Sequence, residues 1–433
     1  MSDFAITPPY TPWSLLPSHR AWLWGQADEL FGFFERAICN PLGGYYELDE
    51  KGRPTAPGFG EGGAPSRYLF NTARIVHAFA IAHLMGRPGA DTIIDHGMDF
   101  FWKSHRDQKH GGYFWGIGYE GPSDPTKQAY GHAFVLLAAS SAKAAGHPDA
   151  SRLVEDVTSV ILDRFWEEAH GSTAEEFTAD WHSFSSYRGQ NSNMHLVEAL
   201  MAAFEVTDDS IYLEMAERIA RLIIREHAKA NGWRIPEHFR SDWSVDKSYS
   251  GSPMFRPYGT TPGHSLEWTR LLLQLWELGK RKCDWLPEAA RALFDRAVSD
   301  AWDPQTGGFY YTLDWEGRPH IRDRYWWPCC EGIGAAYFLN SIKGDPILEG
   351  WYRRIWSFTA RRFIDRENGG WHAQIDESLL PSSKPFFGKV DIYHSLQACL
   401  IPTLSTRGSI VKGLNELVRN TQPECDRLSN SAT

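Results

Sequence analysis

A glycine followed by an aromatic residue returns along this chain at a nearly constant interval, and that recurrence limits the fold more than any other feature. It appears at Gly43-Gly44-Tyr45, Gly111-Gly112-Tyr113, Gly232-Trp233, Gly307-Gly308-Phe309 and Gly369-Gly370-Trp371, with a degraded copy at His170-Gly171-Ser172. First glycines lie 60 to 75 residues apart, longer than a simple helical repeat, so six units fill the 433 residues. Several of these glycines lead into a short aromatic segment and a second turn, as from Phe309 to Pro319, which is the pattern of a small hairpin. Between hairpins the apolar residues return at helical spacing, two helices per unit. Pairs are expected at 68–84 with 91–105, 128–145 with 149–166, 191–206 with 210–227, 262–278 with 287–302, and 329–342 with 347–363; helices at 18–38 and 393–404 complete a sixth. Six helical hairpins in a ring make an all-α (α/α)6 barrel with short β-hairpins at its rim, and its inner helices converge on one cleft.

No linker, charge block or low-complexity run divides the chain, so a single domain, 1–433, is expected, with a polar tail at 420–433 that frays. The 19 Trp, 17 Tyr and 24 Phe supply a large core, and the surplus of Trp and Tyr suits a carbohydrate cleft, where flat rings stack on sugar C–H faces. A net charge of −10 without basic clusters argues against nucleic acid or an anionic membrane as partner. The start, Met1-Ser2-Asp3-Phe4-Ala5, has no basic region leading into an apolar stretch, and nowhere do about 18 apolar residues run together. Cys39, Cys283, Cys329, Cys330, Cys399 and Cys425 form no C-x-x-C and no regular framework, as expected of reduced thiols in a cytoplasmic enzyme. A small-molecule monosaccharide is the expected partner; the oligomeric state, a homo-oligomer included, stays open.

Chemistry-bearing residues gather at helix starts. Thr261-Pro262 opens a helix, with the Thr261 hydroxyl expected to cap it and proline fitting the first turn. His264 and Glu267, three apart, then share one face of that turn as an acid/base pair. Arg74, Asn191, His195, Trp327, Glu331 and His394 occupy comparable places in other units. Any one of them alone could be a satisfied buried polar group; together, flanked by core residues, they point to one mouth. His195, His264 and His394 lie on separate units without metal-ligand spacing, and no phosphate or dinucleotide fingerprint stands out, so neither metal nor cofactor is expected. Histidine suits proton transfer near neutral pH, and two histidines facing a sugar suggest proton transfer rather than glycosidic cleavage.

These motifs resemble the N-acylglucosamine 2-epimerase superfamily, and most closely its bacterial aldose-ketose isomerase branch, which includes the D-mannose and sulfoquinovose isomerases. The resemblance runs from about Ser18 to Pro402 and is carried by Thr72-Ala73-Arg74, Asp107-Gln108-Lys109-His110-Gly111-Gly112-Tyr113, Tyr187-Arg188-Gly189-Gln190-Asn191-Ser192-Asn193-Met194-His195, Phe255-Arg256-Pro257-Tyr258-Gly259-Thr260-Thr261-Pro262-Gly263-His264, Trp327-Pro328-Cys329-Cys330-Glu331 and Gly388-Lys389-Val390-Asp391-Ile392-Tyr393-His394. It implies an (α/α)6 barrel and a cofactor-free, cis-enediol(ate) interconversion of D-mannose and D-fructose. Sulfoquinovose isomerisation and 2-epimerisation are the alternatives. His264 would then carry the proton between C2 and C1 and His394 would act at the oxygens, although the two roles could be exchanged. Glu267 and Glu331 would orient or charge-balance the histidines; Arg74, Asn191, His195, Trp327, Arg256, Phe70 and Tyr130 would bind substrate. Val390 and Ala373 stand where sulfosugar isomerases carry glutamine, which weakens the sulfonate reading, while Arg74, Arg256 and Lys389 could still meet an anion. A glycoside hydrolase using Glu267 and Glu331 across a glycosidic bond, or a helical binding protein, are the competing readings.

Overall fold

The structure, a computed structural model, describes residues 10–55, 66–389, 392–404 and 407–421. Val390 and the tail from 422 onward therefore lie outside the described residues. Thirteen α-helices form among those described: α1 Pro17–Glu35, α2 Leu69–Leu84, α3 Ala90–Phe100, α4 Ala129–Ala144, α5 Ala150–Val160, α6 Gln190–Thr207, α7 Ser210–Ala220, α8 Pro262–Leu278, α9 Trp285–Ala301, α10 Trp326–Lys343, α11 Pro346–Arg362, α12 Tyr393–Leu400 and α13 Ile410–Thr421. The even-numbered helices from α2 to α12 pack each on the next, and α12 returns to α2, while α3, α5, α7, α9, α11 and α1 back them from outside. This is the (α/α)6 barrel. Inner helices such as α4 and α8 are buried on nearly every face, whereas an outer helix such as α5 buries one stripe, with Leu153, Val154 and Val157 turned inward. No described helix is long and apolar enough to cross a membrane, and Cys39, Cys283, Cys329 and Cys399 are free thiols.

One helix was not expected. The short amphipathic α13 follows the last glycine unit and seals the end of the ring away from the hairpins. Its leading Ser409 donates to Glu205 of α6, and the Gly408 carbonyl accepts from Gln274 of α8 at 2.9 Å.

Within the ring, side-chain caps are confined to two of the outer helices. The outer helices α7 and α11 are capped by aspartates, Asp209 accepting from the Ile211 N–H and Asp345 from the Ile347 N–H. None of α2, α4, α6, α8 and α10 has a side-chain cap of its own. In four of them the first N–H reaches instead into the hairpin of the following unit, α8 beginning with a proline: Leu69 to the Trp115 carbonyl, Ala129 to Glu175, Gln190 to Glu237 and Trp326 to Ala373, at 2.9 to 3.2 Å. The Thr261 expectation is corrected here, because its hydroxyl is buried without a partner among the described residues.

Short antiparallel links close the rim. Tyr68 pairs with Gly116, Gln128 with Glu176, Gly189 with His238, Thr260 with Leu313 and Tyr325 with Gln374, and Lys389 pairs with Leu48 to join the last unit to the first. Four of these links bury a cation against the acid that stands four residues before its unit's first glycine. Lys127 meets Asp107 (2.8 Å), Arg188 meets Glu167 (2.6 Å), Arg324 meets Asp303 (2.6 Å) and Lys389 meets Asp365 (2.7 Å). Lys389, read from sequence as a possible anion contact, is a buried structural partner in this ring.

Candidate active site

At the hairpin end of the barrel, His264 in the first turn of α8 and His394 in the first turn of α12 both contact the Trp327 indole of α10, with ring centroids 5.1 and 5.7 Å away. Gly263 makes this approach possible, since a Cβ there would lie 2.5 Å from the indole. Each imidazole is held through Nδ1 by a buried carboxylate: Glu237 Oε2 at 2.9 Å for His264, and Glu331 Oε1 at 2.8 Å for His394. Neither Nε2 has a protein hydrogen-bond partner among the described residues, which leaves both nitrogens to a substrate.

The pairing of His264 with Glu267 is therefore corrected. Although they share a helix face, the Glu267 side chain turns into the core, 3.7 Å from His195 Nδ1 and 3.5 Å from Arg270 Nη2, and neither of its oxygens is hydrogen-bonded. Burial and the neighbouring Glu331 carboxylate push its pKa well above the ordinary carboxyl value, which favours its neutral form. Glu331 is displaced the other way; burial opposes ionisation, but Arg270 and His394 outweigh it and hold its pKa down. Arg270 binds Glu331 (3.0 Å) and Glu198 (3.1 Å) as well as approaching Glu267, while Tyr393 donates to Glu198. The His195/Glu198/Glu267 and Glu267/Glu331/His394 groups are compact enough to ligate an ion, their ligand atoms lying within 4.8 Å. All three carboxylates already face the Arg270 guanidinium, which supplies the positive charge a metal would bring.

His195 is neutral, its pKa lowered to about 4 by burial, and its ring packs on Tyr130 and Phe134, 5.2 and 4.6 Å away. Arg74 donates to the Tyr130 hydroxyl at 2.9 Å and lies over the Phe134, Tyr393 and Phe70 rings. Phe70 stacks on Trp115 at 5.3 Å and meets Phe255 edge-on at 5.5 Å, making an aromatic wall beside Tyr130. Asn191, at the start of α6, has a buried Oδ1 without a partner among the described residues. Arg256 is not a free cation: it binds Glu176 (3.0 Å), lies 3.5 Å from Glu175 and sits over Tyr187.

The structure thus brings His264, His394, Trp327, Glu331, Glu267, His195, Tyr130, Arg74 and Phe70 into one connected cluster, and ties Arg256 to the carboxylates beside it. Sequence reading missed Glu237, Gln190, Trp115, Phe255, Glu198 and Arg270. For some of these a signal was present. The hairpin residues paired across the rim end at Leu48, Ile117, Phe177, Phe239, Leu313 and Ile375, and two residues before each stand Tyr46, Trp115, Glu175, Glu237, Tyr311 and Ala373, one register position per unit at the starts of the inner helices.

Comparison with known proteins agrees with this architecture. The chain is 41% identical to the D-mannose isomerase of Thermobifida fusca over 93% of this chain and 99% of the relative. It is 40% identical to that of Pseudomonas cannabina pv. alisalensis over 94% and 97%. A solved D-mannose isomerase structure superposes with a TM-score of 0.82 at 30% identity, covering 89% of this chain and 99% of that one. The family model described as N-acylglucosamine 2-epimerase matches residues 43–398, and the chain belongs to that family.

Proposed function

We propose that this chain is an aldose-ketose isomerase that interconverts D-mannose and D-fructose as one cytoplasmic catalytic domain, without metal or cofactor. The observation that supports this best is the pair of imidazoles, each backed through Nδ1 by a buried carboxylate and each with Nε2 left to substrate. In the open-chain aldose, His264 Nε2 takes the C2 proton. The C2–H electron pair forms the C1–C2 double bond, and the C1 carbonyl pair moves to O1, which takes a proton from His394. The second half reverses these moves on the neighbouring atoms. O2 gives its proton to His394, the O2–H electrons form the C2 carbonyl, and the C1–C2 double-bond electrons take a proton from His264 at C1. Glu237 and Glu331 balance the imidazolium charge as it appears, and Arg74, Asn191 and Trp327 hold the sugar. Because an imidazole proton exchanges with water, mannose turned over in D₂O should yield fructose with deuterium at C1. A product free of label at C1 would instead require a hydride shift and sink the mechanism. Chelation is expected to leave activity unchanged, Arg270 already meeting the buried carboxylates.

For substrate, the paired states of Arg256 and Lys389 leave two fewer cations for a sulfonate. Mannose should be accepted at least as well as sulfoquinovose. A preference for sulfoquinovose above about 100-fold, roughly 2.7 kcal/mol of transition-state binding, would overturn the substrate assignment. A 2-epimerase reading shares the same enediolate and is tested in the same spectra as glucose among the products. The hydrolase reading loses its support, because Glu267 and Glu331 lie in the Arg270 cluster rather than across a cleft.

A further inference from the structure

Glu237 belongs to none of the helices that carry the histidines. It stands in the hairpin of the unit after α6, at the register position shared with Trp115, Glu175 and Tyr311, and it is 3% exposed. Its backbone carbonyl accepts from the first N–H of α6, and its two carboxylate oxygens divide between two tasks. Oε1 accepts from the Thr261 N–H at 3.0 Å, tying the residue before α8 to the hairpin. Oε2 meets both His264 Nδ1 at 2.9 Å and Gln190 Nε2 at 2.8 Å. The Gln190 amide cannot be turned over without loss, because its Oε1 accepts from the Trp268 indole N–H at 2.8 Å. Gln190 therefore presents N–H, not oxygen, to the carboxylate. An ionised carboxylate only accepts, so an unprotonated Nδ1 at 2.9 Å would set two lone pairs against each other. Gln190 Nε2 also lies 2.9 Å from Nδ1, but its amide hydrogens can turn to Oε2, whereas the carboxylate has no hydrogen to offer, so the short contact with Oε2 calls for a proton on Nδ1.

We infer that Glu237 is a positioning residue that fixes His264 as the Nδ1–H tautomer and so presents Nε2 as the bare, proton-accepting nitrogen. Its effect on turnover rests on the isomerase reading above; its effect on the ring does not. The arrangement parallels hydrolase triads, where a buried acid selects the tautomer of a general base and its amide variant costs about 10⁴-fold in kcat.

The test is Glu237→Gln in the full-length protein, read in two independent ways. Nitrogen-resolved NMR of the His264 ring should show a single Nδ1–H tautomer in the parent and a mixed or inverted one in the variant. Turnover of mannose should fall about 10²- to 10³-fold in kcat with KM changed less than about threefold, since the lost interaction orients the base rather than the sugar. Should Glu237→Gln fold poorly by circular dichroism, Trp268→Phe, which removes the indole N–H that holds the Gln190 amide and keeps an aromatic ring in the core, should still mix the tautomer and lower kcat by roughly threefold to tenfold. An unchanged tautomer, or a KM rise with kcat retained, overturns the inference. A tautomer change in the variant, with a parent that turns over no aldose, would leave the positioning role standing and remove the isomerase assignment instead.

Discussion

His264 meets Glu237 and His394 meets Glu331 through the same ring nitrogen, at 2.9 and 2.8 Å, yet the two carboxylates live in different company. Glu237 comes from a rim hairpin and is otherwise surrounded by neutral donors, the Thr261 N–H and the Gln190 amide, so His264 is its main source of positive charge. Glu331 comes from the inner helix α10 and shares Arg270 with Glu198. Protonating His264 thus completes an ion pair that is otherwise unmet, whereas on the other side one guanidinium faces two acids held low, Glu331 and Glu198, so His394 can carry its proton before substrate arrives and give it to O1. That asymmetry supports His264 at carbon, where a full imidazolium forms, and His394 at the oxygens, where a proton is only passed along.

Removing either ring should have the largest effect. His264→Ala and His394→Ala are each expected to lower kcat/KM by about 10² to 10⁴-fold, the usual worth of a positioned proton-transfer group, with melting behaviour close to the parent. Activity within tenfold of the parent in either variant would break the comparison at its root.

Next comes the difference between the two supports. Arg270→Met strips the charge from the Glu331 side only, leaving buried carboxylates facing one another, and should cost roughly 3–5 kcal/mol of stability. Glu237→Gln keeps its neutral donors and should cost less than half of that in the same denaturant titration. Equal losses would mean that both carboxylates serve the fold in the same way.

Acid sharpens the contrast within the Glu331 cluster. Glu237 and Glu331 have folded values below the ordinary 4.5, so the stability they contribute is present above that value and lost as pH falls through the folded values. Burial lowers His195 from 6.5 to about 4, so the unfolded chain takes up a proton below pH 6.5 that the folded state refuses until about pH 4. The melting temperature should therefore drop as pH is lowered from 6.5 to 4. Glu267 has the opposite sign. Its folded pKa is raised, so its contribution is present below 4.5 and lost as pH rises. Glu267→Gln should stabilise the protein at pH 7 by roughly 1 kcal/mol and give no gain at pH 4.5; equal shifts at the two pH values would contradict a neutral Glu267.

Much of this frame was legible in the chain because the six glycine units and the 3.6-residue pattern repeat: α8 spans Pro262–Leu278, the expected range. His264, His394 and Trp327 were found because polar residues at the starts of apolar helices are conspicuous. The partners were not, for a physical reason. Spacing along one helix offered Glu267 to His264, but packing in the ring turns Glu267 inward, and Glu237 arrives from a hairpin whose position is set by the link between Gly189 and His238. Lys389 misled in the same manner, since nothing local shows that Asp365 waits for it across the rim. Helix α13 was missed because it belongs to no glycine unit.

The smallest expected effect isolates what Glu237 does for α8 apart from what it does for His264. A threonine at a helix N-cap normally contributes about 0.5–2 kcal/mol through its hydroxyl. At Thr261 that hydroxyl is buried and unbonded among the described residues, while the Thr261 N–H is held by Glu237. Replacing an unsatisfied buried hydroxyl by a methyl of nearly the same shape removes a desolvation cost and no hydrogen bond. Thr261→Val should therefore be neutral or stabilising, within about 0.5 kcal/mol of the parent or above it, and should leave kcat unchanged. Valine at this position also keeps the extended backbone that precedes Pro262. A loss of more than about 1 kcal/mol, the usual value of an N-cap, would show that the hydroxyl caps α8 after all.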